Sequence, residues 1–325
     1  MIDAIATLKQ LESEQRQPSD EERQKLQQFS GFGAVALTLF PDPLTGHYRD
    51  AAWQSLGEEL KALLTQSEYD SAKRTTFNAF YTSPLVVNAM HEAMQRLGLP
   101  PGALVLEPGC GSGRFMAQGR KGQRFIGVEL DELSGRIARA LHPGHDIRIE
   151  NFRDTRLPDS TLDGVIGNVP FANIKLSHRG TRYSLHDYFF AKSLDAIKPG
   201  GILALVTSHF TLDKQYAALR EYLAESADFV GAIRLPSDAF KAEGTSVVTD
   251  IVFLRKRSPG QTPEHADPDW LKTGSLSVDG QDVTVNQYFL NHPEMVLGQF
   301  SLENALYHGG ESSFSLTRSG DFKKQ

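Results

Sequence analysis

Cysteine is nearly absent: Cys110 is the single thiol among 325 residues, so no internal disulfide can form. Structural zinc would have to rely on histidine or carboxylate ligands, and the ten histidines show no HxxxH or Cys/His spacing, so no metal is expected. No apolar run approaches the roughly 20 residues that a membrane-spanning helix needs. The opening stretch MIDAIATLKQLESEQ lacks a basic segment followed by an apolar one, which leaves no secretory signal to expect and reads as cytoplasmic. Nor is there an excess of basic charge. Forty acidic against 34 basic side chains give −6, which argues against a non-specific nucleic-acid coat protein but not against a local basic groove. What is present, 40% hydrophobic and 23% charged residues, is globular composition, and the length suits one large domain with appendages or two domains.

Three regions differ in pattern. Residues 1–76 read as an amphipathic helical extension, in which Ser19-Asp20-Glu21-Glu22 after Pro18 forms a capping box. Within it, Phe29-Ser30-Gly31-Phe32-Gly33 breaks the helical pattern. Residues 77–257 open with an apolar helical stretch, Leu85 to Leu97, for which Pro84 suits the first turn. Six short apolar runs follow: 103–106, 124–130, 163–166, 202–207, 229–233 and 250–254. Such runs, separated by helical stretches, are what a parallel sheet covered on both faces requires, so the expected fold is α/β with a doubly wound, mostly parallel sheet. Residues 258–325 read as a polar, proline-bearing linker and a small C-terminal segment, with a strand pair around Asp279-Gly280.

Two motifs carry chemistry. In Val105-Leu106-Glu107-Pro108-Gly109-Cys110-Gly111-Ser112-Gly113, a strand runs through an acidic residue into a glycine-rich turn and a helix. Glycines let a ligand lie against backbone. Glu129 ends the second strand, where a carboxylate can accept both hydroxyls of a ribose. Glu107 would repel a phosphate but can pair with a cationic amino-acid group, which favours S-adenosylmethionine over NAD. The second motif, Gly167-Asn168-Val169-Pro170-Phe171, directly follows an apolar run.

With these residues in hand, the chain resembles the γ-type N6-adenine DNA methyltransferases, which carry an Asn/Asp-Pro-Pro-Tyr/Phe tetrapeptide; Val169 departs from that pattern. Longer stretches, FNAFYTSP, LEPGCGSGRF, GNVPF, SLHDYFFAKSLDAIKPGG and GTSVVTDIVFL, are similar to the methyltransferase portion of large plasmid- and phage-borne methylase–helicase proteins. The resemblance implies a Rossmann-like class I methyltransferase core in residues 77–257. It implies transfer of a methyl group from S-adenosylmethionine to N6 of adenine in DNA, duplex or single-stranded, with the target base flipped out. A helicase or a larger polypeptide would be the partner, in the setting of restriction-modification and mobile elements.

The residues then acquire roles by resemblance. Tyr81 and Thr82 hold the methionine end of the cofactor, together with Glu107, Pro108, Gly109, Gly111 and Gly113. Glu129 takes the ribose, while Asn151 and Phe152 take the adenine, with Asp154 a second candidate. Asn168 and a backbone carbonyl of Val169 or Pro170 accept the two N–H bonds of the target amine, and Phe171 offers a face for the flipped base. Lys175, Arg179 and Arg182, in a stretch without acids, are placed to meet phosphates. His186-Asp187 lacks a nucleophile motif, and Cys110 reads as a packing group. RNA-base or protein-glutamine methylation, and a non-catalytic DNA-binding module of a helicase assembly, are the alternatives.

Overall fold

A computed structural model describes residues 1–32, 36–42, 44–75, 82–172, 174–239, 247–303 and 314–318. Within them the apolar runs become strands β1 (Leu104–Pro108), β2 (Arg124–Glu129), β3 (Asp146–Ile149) and β4 (Leu162–Asn168). A hairpin, β5 (Lys175–His178) and β6 (Thr181–Ser184), precedes β7 (Ile197–Ser208), β8 (Ala227–Leu235) and β9 (Thr249–Lys256). Seven of these form one sheet in the order β3-β2-β1-β4-β7-β9-β8. Neighbours from β3 to β7 run parallel, and β9 is reversed against both β7 and β8. The sheet is therefore the mostly parallel, doubly wound one expected.

Side chains alternate across its faces, as the two-residue strand period demands. Val105, Ile166 and Val206 face one cluster with residues of helix α6 (Pro84–Arg96). Leu106, Val165 and Leu205 face the other, built with Phe190 and Leu194. Pro84 stands at the start of α6, and Ser83 Oγ accepts from Val86 N at 3.4 Å, so the expected helix start is present. β3, whose sequence DIRI is half charged, lies at the sheet edge, where no continuous apolar run is needed.

Helices α1 (Ile2–Glu14), α2 (Asp20–Gln27), α3 (Ala36–Leu39), α4 (Ala51–Leu63) and α5 (Gln66–Thr75) precede the sheet. The capping box at Ser19 is formed in both directions, Glu22 N to Ser19 Oγ at 3.3 Å and Ser19 N to Glu22 Oε2 at 2.8 Å. Their apolar faces share a core with Leu133, Ile137 and Leu141 of the sheet-covering helix α8 (Glu132–Leu141), which follows α7 (Arg114–Ala117). On the opposite flank come α9 (Leu185–Ala196), α10 (Phe210–Asp213) and α11 (Ala218–Ser226). Beyond β9, Trp270, Val283, Val285 and Phe289 join the main core through hairpin β10 (Thr273–Val278) and β11 (Gln281–Asn286), then α12 (Gln287–Asn291). Asp279 and Gly280, at φ 49° and 80°, make the expected two-residue turn. No helix among the described residues is long and apolar enough to cross a membrane.

Candidate active site

After β1 the chain turns one way, to β2 and β3, and then returns past β1 to lay down β4 on its other side. Loops leaving the carboxyl ends of β1 and β4 must diverge there, and the crevice between them is where open α/β sheets bind ligands. Both sequence motifs sit at those two ends: the glycine turn follows Pro108, and the tetrapeptide begins at Asn168. They open into one cavity of about 400 Å³ lined by Gly109, Gly111, Glu129, Asn168 and Pro170, among others. A Cβ built on Gly109, whose φ is 68°, would fall 3.5 Å from Pro170 Cδ, so the two loops are in contact.

Two carboxylates dominate the electrostatics. Glu107 is 2% exposed and accepts from Met116 N at 2.9 Å and Phe115 N at 3.4 Å, bonds that the sequence reading did not foresee. Burial pushes its carboxyl up to about 8. Glu129 accepts from Gly111 N and Asp131 N, both at 2.7 Å, and burial, followed by the charge of Asp131, pushes it up to about 7. Among the described residues no Lys, Arg or His forms an ion pair with either. Charged, they lack a counter-ion; a cation in the cavity would supply one.

The tetrapeptide is held from two sides. Val169 N donates to Val206 O at 3.1 Å, prolonging the β4–β7 ladder, and Asn168 Nδ2 donates to Thr82 Oγ1 at 3.2 Å. Thr82 is 2% exposed, and its carbonyl accepts from Arg114 Nη1 at 3.4 Å, so it joins the glycine-turn helix to the tetrapeptide. Tyr81 lies outside the described residues. Asn151 and Phe152 line the cavity; Asn151 Oδ1 accepts from Arg153 N at 2.9 Å, and the Phe152 ring lies 4.4 Å from that of Phe189, another lining residue. Asp154 instead pairs with Arg153 at 3.0 Å.

Other expected residues stand elsewhere. Pro108 backs onto Gly167, where a Cβ would meet its Cδ at 3.5 Å. Gly113 starts α7 at φ 85°, and a Cβ there would fall 2.6 Å from His142 Cδ2; its glycine is explained by the turn and by His142. Phe171 packs edge-to-face on His186 at 6.3 Å. The basic stretch is the β5–β6 hairpin, turned at Arg179 and Gly180 with φ 46° and 86°. Lys175 and Arg182 are exposed on it. The Arg179 guanidinium is engaged, Nε to Asp195 Oδ2 at 2.7 Å, and with His178 it fastens the hairpin to α9. Ser184 Oγ does lie 3.1 Å from His186 Nε2, yet that same nitrogen faces Asp187 at 3.7 Å, so these three residues form no Ser-His-Asp relay. Cys110 is buried, and burial raises its thiol, as suits a packing group. No cluster of His, Cys, Asp or Glu that could hold a metal occurs among the described residues.

Sequence reasoning missed Gly31, Phe32 and Ser71, which bring the N-terminal helices to the cavity, and Glu150 at the end of β3. The glycine-phenylalanine break in the helical pattern was the available signal.

No family model matches the chain. It is similar to the Defense against restriction protein B of Escherichia phage P1, 31% identical over 211 residues that cover 62% of this chain and 9% of that protein. It is also similar to the Type II methyltransferase M.CvrRI of Paramecium bursaria Chlorella virus XZ-6E, 28% identical over 194 residues, 54% of this chain and 48% of that protein. The chain thus spans a tenth and a half of these two relatives. Among solved structures it is similar to the methyltransferase subunit of a type I restriction-modification system from Streptococcus thermophilus. That likeness has 19% identity and a TM-score of 0.48, over 63% of this chain and 53% of that one.

Proposed function

We propose that this chain is an S-adenosylmethionine-dependent methyltransferase acting on N6 of adenine in DNA, with residues 77–257 as its catalytic core. The observation that carries the reading is the meeting of the glycine turn and the Asn168 tetrapeptide in one cavity at the switch point, beside two carboxylates without a counter-ion. S-adenosylmethionine fits that chemistry because it is a nucleoside bearing a sulfonium and an ammonium group, and it supplies a methyl group electrophilic enough for an amine to attack. The similarity to M.CvrRI and to an anti-restriction protein supports a nucleic-acid substrate over a small molecule.

The chain's own residues then have the following tasks. Glu129 accepts the ribose hydroxyls, and Glu107 faces the positive charge of the methionine end. Gly109 and Gly111 allow close backbone approach, and Asn151 and Phe152 bound the adenine. Thr82 holds the Asn168 carboxamide by its donor end. The acceptor end of that carboxamide, with the backbone carbonyl of Val169 or Pro170, receives the two N–H bonds of the target amine. An exocyclic amine is a weak nucleophile because its lone pair is delocalised into the ring. Acceptors fixed in place draw it towards tetrahedral geometry and stabilise the positive charge that develops, for about 3–4 kcal/mol per good contact. Alignment of the nitrogen with the methyl group supplies much of the rest. Phe171 gives the extruded base an aromatic neighbour, and Lys175 and Arg182 meet phosphates.

Transfer of labelled methyl groups to adenine-containing duplex and single-stranded DNA tests this. Digestion to nucleosides should yield N6-methyladenine. Asn168→Ala should lower the rate about 100- to 1,000-fold with cofactor binding intact. Label found in RNA or glutamine but not in DNA adenine would overturn the substrate; no label anywhere would overturn the activity.

A further inference from the structure

The Phe29-Ser30-Gly31-Phe32-Gly33 segment has no part in the chemistry above, and it lies more than 70 residues before the glycine turn in sequence. In space its Gly31 and Phe32 line the same cavity as Glu129 and Asn168, together with Ser71 of α5. Gly33 lies outside the described residues. Gly31 has φ 72°, a left-handed conformation that glycine adopts without strain. That turn releases the chain from α2 and points Phe32 inward, where it is 2% exposed.

Phe32 is not loosely placed. Its ring meets Phe29 and Phe40 edge-to-face, each at 5.7 Å, and Phe40 meets Tyr69 at 5.4 Å. This aromatic row shares its core with Leu133 and Ile137 of α8, the helix that begins three residues after the ribose-accepting strand end. Polar contacts fix the same junction. Ser71 Oγ donates to Asp131 Oδ1 at 3.3 Å, and Asp131 N in turn donates to Glu129 Oε1 at 2.7 Å. Behind them Arg136 of α8 is gripped by Glu12 and Glu68, and Lys9 binds Glu68 at 2.6 Å. The helices ahead of the core are thus fastened to the sheet at the carboxylate end of the cavity, away from the tetrapeptide.

We infer that the N-terminal helical unit is a wall of the cofactor site: Phe32 is an apolar contact for the adenosine part of the bound nucleoside, and Ser71 positions Glu129 through Asp131. The inference rests on the reading of the cavity as a nucleoside site and adds an affinity determinant that lies outside both motifs. A covered adenosine loses water from its apolar face, which tightens binding without touching the transferred group.

Hydrogen exchange of the full chain with and without S-adenosylmethionine tests it without any substitution. Amides at 29–32 and around Ser71 should exchange more slowly with cofactor, together with those of the glycine turn. Phe32→Leu keeps an apolar core residue and should raise the cofactor Kd about five- to tenfold. Ser71→Ala should raise it less. Protection confined to the glycine turn and β2 end, with unchanged Kd in both variants, would overturn the wall while leaving the methyltransferase reading intact. Failure of the unaltered chain to bind S-adenosylmethionine at all would overturn both.

Discussion

Two buried acidic clusters lie at the loop-bearing edge of the same sheet, and they are built in opposite ways. At the β8–β9 side, Arg234 is fully buried between Asp213 at 2.9 Å and Asp250 at 2.8 Å, and its guanidinium lies 4.1 Å from the centre of the Phe289 ring. His209 Nδ1 lies 2.8 Å from Asp213 Oδ2, and Asn286 N donates to Asp213 Oδ1 at 2.8 Å. Against the upward push of burial, Arg234 and His209 hold the Asp213 carboxyl below the usual carboxylate range. At the β1–β2 side, among the described residues, Glu107 and Glu129 receive only backbone N–H groups, and burial raises both. A charge matched inside the chain locks elements together. A charge left for something else to match is what the proposed cofactor site offers a cation.

Breaking the matched cluster should have the larger effect on stability. Asp213→Asn removes a partner of a buried Arg, and chemical denaturation should show a loss of about 3–5 kcal/mol. Glu129→Gln should cost the fold little, but calorimetry should show S-adenosylmethionine bound about 10- to 100-fold more weakly, as expected for loss of hydrogen bonds to a charged acceptor.

Acidity gives a second contrast, between the unmatched pair and Glu68 of the N-terminal helices, because in the matched cluster burial raises Asp250 as well. A raised carboxyl is more protonated in the folded chain than in the unfolded one, so its contribution to stability falls as pH rises through the interval between the two values. With Glu107 at about 8 and Glu129 at about 7, the ligand-free protein should lose stability from pH about 4.5 to 8, and cofactor binding should tighten over the upper part of that range. Glu68 behaves in reverse: burial pushes it up, but Lys9 and Arg136 bring it down to about 2. Its contribution should hold above pH about 4.5 and disappear towards 2, so the N-terminal helices should loosen first in acid. Thermal melts across pH read both slopes. The smallest effect is expected from Thr82→Val, which removes the hydroxyl that orients Asn168. The catalytic rate should fall about fivefold to tenfold, in line with one neutral hydrogen bond.

How much of this was readable in advance follows from the range of each interaction. The capping box at Ser19, the Pro84 helix start and the Asp279-Gly280 turn are local and were legible. So were the strands whose residues are buried on both faces. β3, half charged at an edge, gave no such run, and the β5–β6 turn at Arg179-Gly180 was hidden in a basic stretch. In the site, Asn168, Glu129 and the glycine turn stood out because motif and strand end coincide. Phe32 reaches the cavity through packing on α8, about a hundred residues away in sequence, and Ser71 through a hydrogen bond to Asp131, 60 residues away, and neither leaves a spacing to count.

The most direct measurement is calorimetric titration of the chain with S-adenosylmethionine near pH 7 in two buffers of different ionisation enthalpy. If the cation supplies the charge that Glu107 and Glu129 lack, binding should release protons, and the apparent enthalpy should differ between the buffers. Binding with no proton exchange would contradict the charge-matching role of the two carboxylates, and no binding at all would contradict the site itself.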